Sequence, residues 1–288
     1  MFSGALTALV TPFRDGKVDE ARLVEQVKFQ LDHGIDGLVP VGTTGESPTL
    51  DMAEHKRVIE LVVETAAGRV PVVAGAGGNS TAEALELHNH AKAVGATAAL
   101  SVNPYYNKPT QEGLYRHFVK LADAIPLPIV LYNIPGRCGV NMTPDTVARL
   151  AEHEMIVAIK EATGSCDQAS QIRQRCDLPI LSGDDSLTLP LMSISGAGVI
   201  SVASNVIPDR IAAMVKHAAD GDFATARSIH HSVFPLCQAL FLEGNPGGVK
   251  KALQLLGRDS GELRLPLWEV GAATAEAIAA ELGGLELM

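Results

Sequence analysis

One lysine of this 288-residue sequence stands where covalent chemistry is favourable. Lys160 closes the apolar run Met-Ile-Val-Ala-Ile at 155–159. Burial at the end of such a run disfavours the charged ammonium form of a lysine, and a neutral amine can attack a ketone to form an imine. The alternative is a structural lysine that is ion-paired with Glu161 or Asp184. Its position alone leaves both interpretations open.

Hydroxyl and phenol groups lie in the segments that end or follow the predicted strands. Tyr132 ends the strand before that of Lys160 and should be its lateral neighbour, so its phenol could move the protons that imine chemistry requires. Thr43 is a candidate for passing these protons on, and Thr44 for hydrogen-bonding a substrate carboxylate. Arg137 offers a bidentate donor for a carboxylate. Taken singly, each group has an ordinary alternative role in packing, capping or solvation.

A regular succession of strands and helices would position these residues. Apolar runs rich in β-forming residues, each followed by a helical pattern, begin near Ala5, Asp36, Val70, Thr97, Pro128, Ile156, Pro179 and Ala197. Their spacing of about 27 residues fits a strand, a helix and two short loops. The runs are almost uniformly apolar, as strands buried on both faces are. Eight such units predict an α/β fold, a (β/α)8 TIM barrel, with catalytic groups at the carboxyl ends of its strands.

After Pro208 no further strand is predicted. Helical patterns continue from about residue 209 and include 223–242, 247–256 and 268–282. We therefore assign residues 1–220 to the barrel and 221–288 to a C-terminal helical extension. No Ser/Gly-rich linker separates the two, which predicts one compact unit.

Composition restricts the possible partners and the compartment. The sequence has 23 Lys+Arg and 33 Asp+Glu, a net charge of −10, which argues against nucleic acid and anionic membranes as partners. The N-terminus lacks the basic region of a signal peptide. The uncharged stretch 186–208 contains two prolines and two glycines, which favours a helix, a turn and a strand over a membrane span. The four cysteines lack disulfide or zinc spacing, so we expect a cytoplasmic protein.

Neither a metal nor a cofactor is predicted. His88 and His90 are two residues apart and His230 and His231 are adjacent, so on helices their side chains diverge and cannot share a metal ion. The glycine-rich loop 75–79 lacks the spacing of nucleotide-binding loops. A tight turn between strand and helix is the favoured interpretation.

Six motifs along the barrel resemble those of one enzyme family. They are GTTGES at 42–47, NPYYNKP at 103–109, YNIPGR at 132–137, IKEATG at 159–164, LSGDD at 181–185 and GVISV at 198–202. On these motifs the sequence is similar to the dihydrodipicolinate synthase / N-acetylneuraminate lyase family of pyruvate-dependent class I aldolases. The complete GTTGES motif and Arg137 resemble the synthase branch, because the lyases typically have GSTGE and lack that arginine.

The resemblance implies an aldol condensation of pyruvate with L-aspartate 4-semialdehyde in lysine and diaminopimelate biosynthesis. It implies that Lys160 forms a Schiff base with pyruvate and that Tyr132 donates and accepts protons. Thr43 and Tyr106 would complete the proton relay. Tyr106 would come from a neighbouring subunit, which implies a homo-oligomer, a dimer within a tetramer.

The resemblance also implies the binding groups for both substrates. Thr44 and the backbone of Ile200 would contact pyruvate, and Gly183 would line the same pocket. Arg137 would bind the carboxylate of the semialdehyde while the pyruvate enamine attacks its aldehyde.

In part of this family L-lysine is a feedback inhibitor that binds a cleft between subunits. The matching residues are Ser47, His55, Asn79, Glu83 and Tyr105. Pro48 stands where a small residue is usual, and Met52 where some sensitive members have histidine. L-Lysine is therefore a predicted inhibitor, and the two departures leave the strength of inhibition open.

Two other functions stay open at this point. One is a different pyruvate aldolase, acting on a sugar-acid or keto-acid aldehyde. The other is a non-catalytic, regulatory barrel that keeps the small-molecule pocket, which the fold alone would permit. Arg137 distinguishes the leading hypothesis from a different aldolase. A pyruvate adduct on Lys160 would distinguish it from a non-catalytic barrel.

Overall fold

Eight parallel strands form the barrel in the computed structural model, which describes residues 2–288. The strands are β1 (Gly4–Ala8), β2 (Gly37–Val39), β3 (Val73–Gly75), β4 (Ala98–Val102), β5 (Ile129–Asn133), β6 (Ile156–Glu161), β7 (Ile180–Ser182) and β8 (Gly198–Ser201). Neighbours in sequence pair in parallel, and β8 pairs with β1. A bridge between Leu38 and Val72 joins β2 to β3. The predicted (β/α)8 TIM barrel is confirmed.

A helix follows each strand along the chain. The eight are α1 (Glu20–Asp32), α2 (Met52–Ala66), α3 (Thr81–Ala93), α4 (Gln111–Ala124), α5 (Pro144–Ala151), α6 (Cys166–Arg173), α7 (Thr188–Ser193) and α8 (Pro208–Ala219). The first six begin at an Asp, Ser or Thr whose side chain accepts a hydrogen bond from a first-turn N–H. Such caps satisfy donors that the helix cannot. Among them is Thr143, which directly precedes Pro144.

Three further helices form the C-terminal extension: α9 (Phe223–Ala239), α10 (Gly247–Leu255) and α11 (Ala272–Gly284). The predicted start of the last helix at Trp268 is wrong. The Glu243 carboxylate accepts the Gly271 N–H at 3.0 Å and holds that residue extended, so the helix begins after it. The division at 220/221 lies between α8 and α9 and remains our proposed boundary.

Two local features complete the comparison with the predicted elements. A short hairpin of Phe13–Arg14 and Lys17–Val18 follows β1 and was not predicted. The uncharged stretch 186–208 contains α7 and β8, as predicted. No helix within residues 2–288 is long and apolar enough to cross a membrane.

Strand alternation determines which side chains face the barrel interior. Successive residues of a strand point to opposite faces, so Lys160 shares a face with Ala158. Glu161 shares the other face with Ile159, which packs in the apolar cluster formed with the surrounding helices. The acid and the base that adjoin in sequence are thereby directed apart.

Candidate active site

Lys160 and Tyr132 form the centre of the site. They are paired across β6 and β5 at the carboxyl ends of these strands, as the sequence predicted. Both are buried, and the Lys160 nitrogen lies 4.3 Å from the centroid of the Tyr132 ring. An amine is therefore held against an aromatic face, with a phenol on the same ring.

Neither Glu161 nor Asp184, the two candidate ion-pair partners of Lys160, forms a direct ion pair with it in the described chain. The Glu161 carboxylate accepts the Thr163 N–H at 2.9 Å and side-chain amides of neighbouring residues. Burial raises the pKa of Glu161. Burial also raises the pKa of Asp184, although the positive charge of Lys160 opposes that shift. Within residues 2–288, Asp184 acts on Lys160 through charge and not through a direct ion pair.

A buried carboxylate joins the ends of β7 and β8 beside Lys160. Asp185 accepts hydrogen bonds from the Ser201 hydroxyl and from the backbone N–H groups of Val202 and Ala203, the latter two at 2.9 and 3.0 Å. Burial raises the pKa of Asp185, and these donors oppose the rise. The network fixes the β8 end, where the predicted pyruvate contact Ile200 lies.

The GTTGES loop after β2 carries the two predicted threonines. Thr43 is half-buried and Thr44 is buried. The Thr44 hydroxyl oxygen accepts a hydrogen bond from the Asn245 side-chain amide at 3.0 Å. Because a hydroxyl both accepts and donates, its proton is left to donate to a ligand. No hydrogen bond joins Thr43 to Tyr132 in the described chain, so the predicted relay is not closed there.

Asn245 is the residue that sequence reasoning missed. It lies between α9 and α10 and is buried against the barrel mouth. Its backbone carbonyl accepts a hydrogen bond from the Arg137 guanidinium at 3.3 Å, while its side chain binds Thr44. The Asn-Pro pair at 245–246 predicts only a turn, and no other sequence signal points to this contact.

Arg137 stands at the edge of the mouth. It belongs to a four-residue helical turn, Pro135–Cys138, directly after β5. It is exposed and lines a cavity of about 310 Å³ together with Glu243, Asn245 and Trp268. A guanidinium beside open space is suited to a carboxylate ligand.

Of three other predicted site residues, Gly183 and Ile200 belong to the barrel around Lys160 and Tyr132, whereas Tyr106 lies on the surface. Gly183 donates its N–H to the Glu161 carbonyl at 2.8 Å, and a Cβ there would lie 2.5 Å from that of Ala162. Ile200 is buried in β8. Tyr106 is 89% exposed and has a left-handed backbone with φ +73°. Within one chain the structure therefore leaves Tyr106 outside the Lys160 centre.

A second cavity, of about 170 Å³, contains most of the predicted lysine-binding residues. Those that line it are Ser47, His55, Glu83 and Tyr105, with Pro48 and Met52 beside them. Asn79 does not line this cavity, and its carbonyl accepts the Asn107 side-chain amide at 2.9 Å.

The charges around this second cavity favour a cation. Burial lowers the pKa of His55, whose Nε2 lies 2.8 Å from the Gly75 carbonyl. Burial, followed by the charge of Glu83, raises the pKa of Tyr105. At neutral pH the lining thus combines a neutral imidazole and a neutral phenol with the Glu83 carboxylate.

The residues that could be considered as metal ligands include one fully buried histidine and the cysteines. His88 Nε2 lies 2.7 Å from the Ser101 hydroxyl, inside the fold. The four cysteines are unpaired. Across residues 2–288, no group of three or more His, Cys, Asp or Glu side chains is arranged to hold a metal ion.

Comparison with known proteins gives matches over nearly the whole chain. The model of the Dihydrodipicolinate synthetase family matches residues 1–283. The 4-hydroxy-tetrahydrodipicolinate synthase of Pelobacter propionicus is 54% identical over 282 residues, 97% of this chain and 97% of the relative. That of Geotalea uraniireducens is 55% identical over 269 residues, 93% of each chain. The family resemblance predicted from the six motifs is confirmed.

Solved structures match the fold at full or nearly full coverage. The dihydrodipicolinate synthase (DHDPS) of Acinetobacter baumannii, complexed with pyruvate, is 40% identical with a TM-score of 0.98 and covers 100% of both chains. The DHDPS of Cyanidioschyzon merolae, with lysine bound, is 42% identical with a TM-score of 0.97. The match covers 100% of this chain and 99% of that one.

Proposed function

The chain belongs to the dihydrodipicolinate synthetase family, and we propose how its barrel mouth performs the reaction. The activity is that of a 4-hydroxy-tetrahydrodipicolinate synthase, a lyase of lysine and diaminopimelate biosynthesis. It condenses pyruvate with L-aspartate 4-semialdehyde. The observation that carries the assignment of the site is the buried Lys160 nitrogen, 4.3 Å from the Tyr132 ring centroid at the barrel mouth.

Lys160 is the nucleophile in this proposal. Once it has lost its ammonium proton, the Lys160 amine attacks the pyruvate ketone, and loss of water gives an imine. Removal of a methyl proton then gives an enamine, whose carbon attacks the aldehyde of the second substrate and leaves an alkoxide that takes up a proton. Addition of water, or of the amino group of the condensed semialdehyde, to the imine carbon then breaks the carbon–nitrogen bond to Lys160, which releases the product and returns the amine. Tyr132 donates and accepts these protons, with Thr43 and Tyr106 as the relay.

The two carboxylates of the substrates have separate partners. The free proton of the Thr44 hydroxyl donates to the pyruvate carboxylate, beside Gly183 and the backbone of Ile200. Arg137 binds the carboxylate of the semialdehyde in the cavity that it lines. The pyruvate complex of the Acinetobacter baumannii relative supports a pyruvate site in this fold.

The exposure of Tyr106 supports a homo-oligomer in which this residue enters a neighbouring site. A tyrosine in a left-handed conformation is uncommon, and such backbone persists where its surroundings hold it. Its ring is 89% exposed, and Leu265 and Trp268 are 73% and 72% exposed. Apolar surface of this kind favours a protein partner. We propose a dimer in which Tyr106 crosses to its partner, within a tetramer, and a cytoplasmic location.

Reductive trapping tests the proposed nucleophile. The protein is incubated with pyruvate, reduced with borohydride and mapped by mass spectrometry. We expect a pyruvate adduct on Lys160 in the wild type and none at this position in Lys160→Ala. A wild-type protein without an adduct on Lys160 would refute the imine mechanism and favour a non-catalytic barrel.

L-Lysine is the proposed ligand of the second cavity. The Glu83 carboxylate would bind one of its ammonium groups, and the lysine complex of the Cyanidioschyzon merolae relative supports a lysine site in this fold. We expect millimolar L-lysine to slow turnover, and Glu83→Gln to weaken that inhibition at least about tenfold. Glu86→Gln, on the same helix and exposed, is the control and should keep it. Wild-type rates that do not change across a lysine titration would contradict the proposal.

A further inference from the structure

We propose that Glu46 and Lys250 form a positioning pair through which the C-terminal extension holds the Thr43–Thr44 hydroxyls at the barrel mouth. The inference rests on the proposed roles of those two threonines. Neither member of the positioning pair touches the substrates in the proposed mechanism. Their effect on the reaction is exerted through the loop.

The positioning pair is fully enclosed. The Lys250 nitrogen lies 2.6 Å from Glu46 Oε1, and the two residues are 0% and 1% exposed. Lys250 also donates to the Glu262 carbonyl at 2.7 Å and lies 4.2 Å from the centroid of the Phe13 ring. The ammonium group is therefore surrounded by protein atoms and has no contact with solvent.

Both oxygens of Glu46 are bound by the extension. Oε1 accepts from Lys250 in α10, and Oε2 accepts the Arg264 N–H at 3.1 Å, from the segment before α11. A buried ion pair is weak evidence for stability, because replacement by apolar residues is often neutral or stabilising. Breaking one partner, however, leaves an unpaired buried charge. The contribution of the pair is therefore better sought in the placement of the loop than in overall stability.

The GTTGES loop requires this restraint because the backbone of Glu46 has an uncommon conformation. This non-glycine residue is left-handed, with φ +54°. Its N–H donates to the Thr43 carbonyl at 3.1 Å, so the chain turns back over Thr43 and Thr44. Residues in this conformation persist only where the surroundings over-determine them. The positioning pair restrains the backbone at Glu46, which directly follows Gly45 and lies two residues after Thr44.

A second cation of the extension, which is half-buried, provides the control. Arg258 lies 3.4 Å from the centroid of the Phe29 ring and donates to the Asn205 carbonyl at 2.8 Å. It joins the extension to the barrel near α1 and β8, and within residues 2–288 it makes no hydrogen bond or ion pair with the GTTGES loop. Loss of either cation should lower stability, but only loss of Lys250 should disturb the threonines.

The experiment compares Lys250→Met and Arg258→Met in the full-length protein. We expect both to lower the melting temperature. Only Lys250→Met should lower kcat at least about tenfold and raise the KM for pyruvate at least about threefold. Enamine formation exchanges the methyl hydrogens of pyruvate for deuterium in D2O, and NMR measures the rate of this exchange in the absence of the semialdehyde. In Lys250→Met that rate should fall to the same extent as kcat.

A milder variant keeps the test decisive if Lys250→Met does not fold. Glu46→Gln retains the shape and one acceptor but leaves the Lys250 charge unpaired and cannot satisfy both donors, so it should lower the melting temperature and slow the deuterium exchange at least about threefold. A folded Lys250→Met or Glu46→Gln protein with wild-type exchange and pyruvate KM would overturn the positioning role. Failure of wild-type Lys160 to form the borohydride adduct would instead overturn the proposed function.

Discussion

At the scale of single residues, the site depends on how one strand separates two adjacent charges. Lys160 faces the barrel interior and the Tyr132 ring. Glu161, the next residue, is bound on the other face by Thr163 and by side-chain amides. The strand alternation thereby prevents the nearest carboxylate from pairing with the amine. An amine without a direct ion-pair partner is better suited to nucleophilic attack than a paired one.

Tyr132 has two separable functions at this scale, which Tyr132→Phe distinguishes. The substitution retains the ring that contacts the Lys160 nitrogen and removes only the phenol. We expect kcat to fall about 100-fold or more, since a positioned acid-base group contributes on that order. Borohydride should still trap pyruvate on Lys160, because the amine keeps its ring contact. A kcat within twofold of wild type would exclude the phenol from the proton transfers.

At the scale of elements, the helical layer over β4 contains two buried histidines. His88 of α3 contacts Ser101 of β4, and His117 of α4 contacts Thr81 at the start of α3. Burial lowers the pKa of each histidine to about 4. Both rings are therefore neutral in the folded protein at neutral pH, and the layer packs without a buried positive charge.

Acid should weaken this layer in a predictable direction. Below about pH 6.5 the unfolded chain protonates His88, whereas the folded chain does so only near pH 4. The free energy of unfolding should therefore fall between pH 7 and 4, by up to about 3 kcal/mol from this residue. Urea unfolding of wild type and His88→Gln measures the difference, with the exposed His231→Gln as control. Equal pH dependence in all three proteins would contradict the assignment.

The elements themselves could be read from the sequence, and contacts between distant segments could not. Almost uniformly apolar runs located all eight strands, and the positions of Lys160 and Tyr132 at the ends of consecutive strands predicted that they are neighbours. The start of α11 depends on Glu243 binding Gly271, a contact that no local pattern encodes. The same holds for Asn245 at Thr44 and for Lys250 at Glu46, each about 200 residues away in sequence.

At the scale of the whole molecule, the extension forms part of the mouth. The segment between α9 and α10 brings Asn245 to both Thr44 and Arg137. The molecule carries a net charge of −10, yet Lys160 and Arg137 place two cationic side chains around its mouth. The overall charge disfavours polyanionic partners, and the local charge favours small carboxylates.

Whole-molecule assembly decides whether Tyr106 acts in its own chain or in the partner. Lys160→Ala and Tyr106→Phe chains are co-expressed with different tags, and the hybrid dimers are isolated. One of the two hybrid sites would then contain both native side chains, so the hybrid should show about half of the wild-type kcat. Each parent variant alone should be strongly impaired.

Tyr132→Phe paired with Lys160→Ala is the control for that hybrid. Tyr132 and Lys160 meet within one chain, so each hybrid site lacks one of them and no activity should return. Recovery in the Tyr106 hybrid and not in the Tyr132 hybrid would establish that the tyrosine crosses between subunits. Absence of recovery in both would place Tyr106 in its own chain, and would require its exposed ring to fold inward during catalysis.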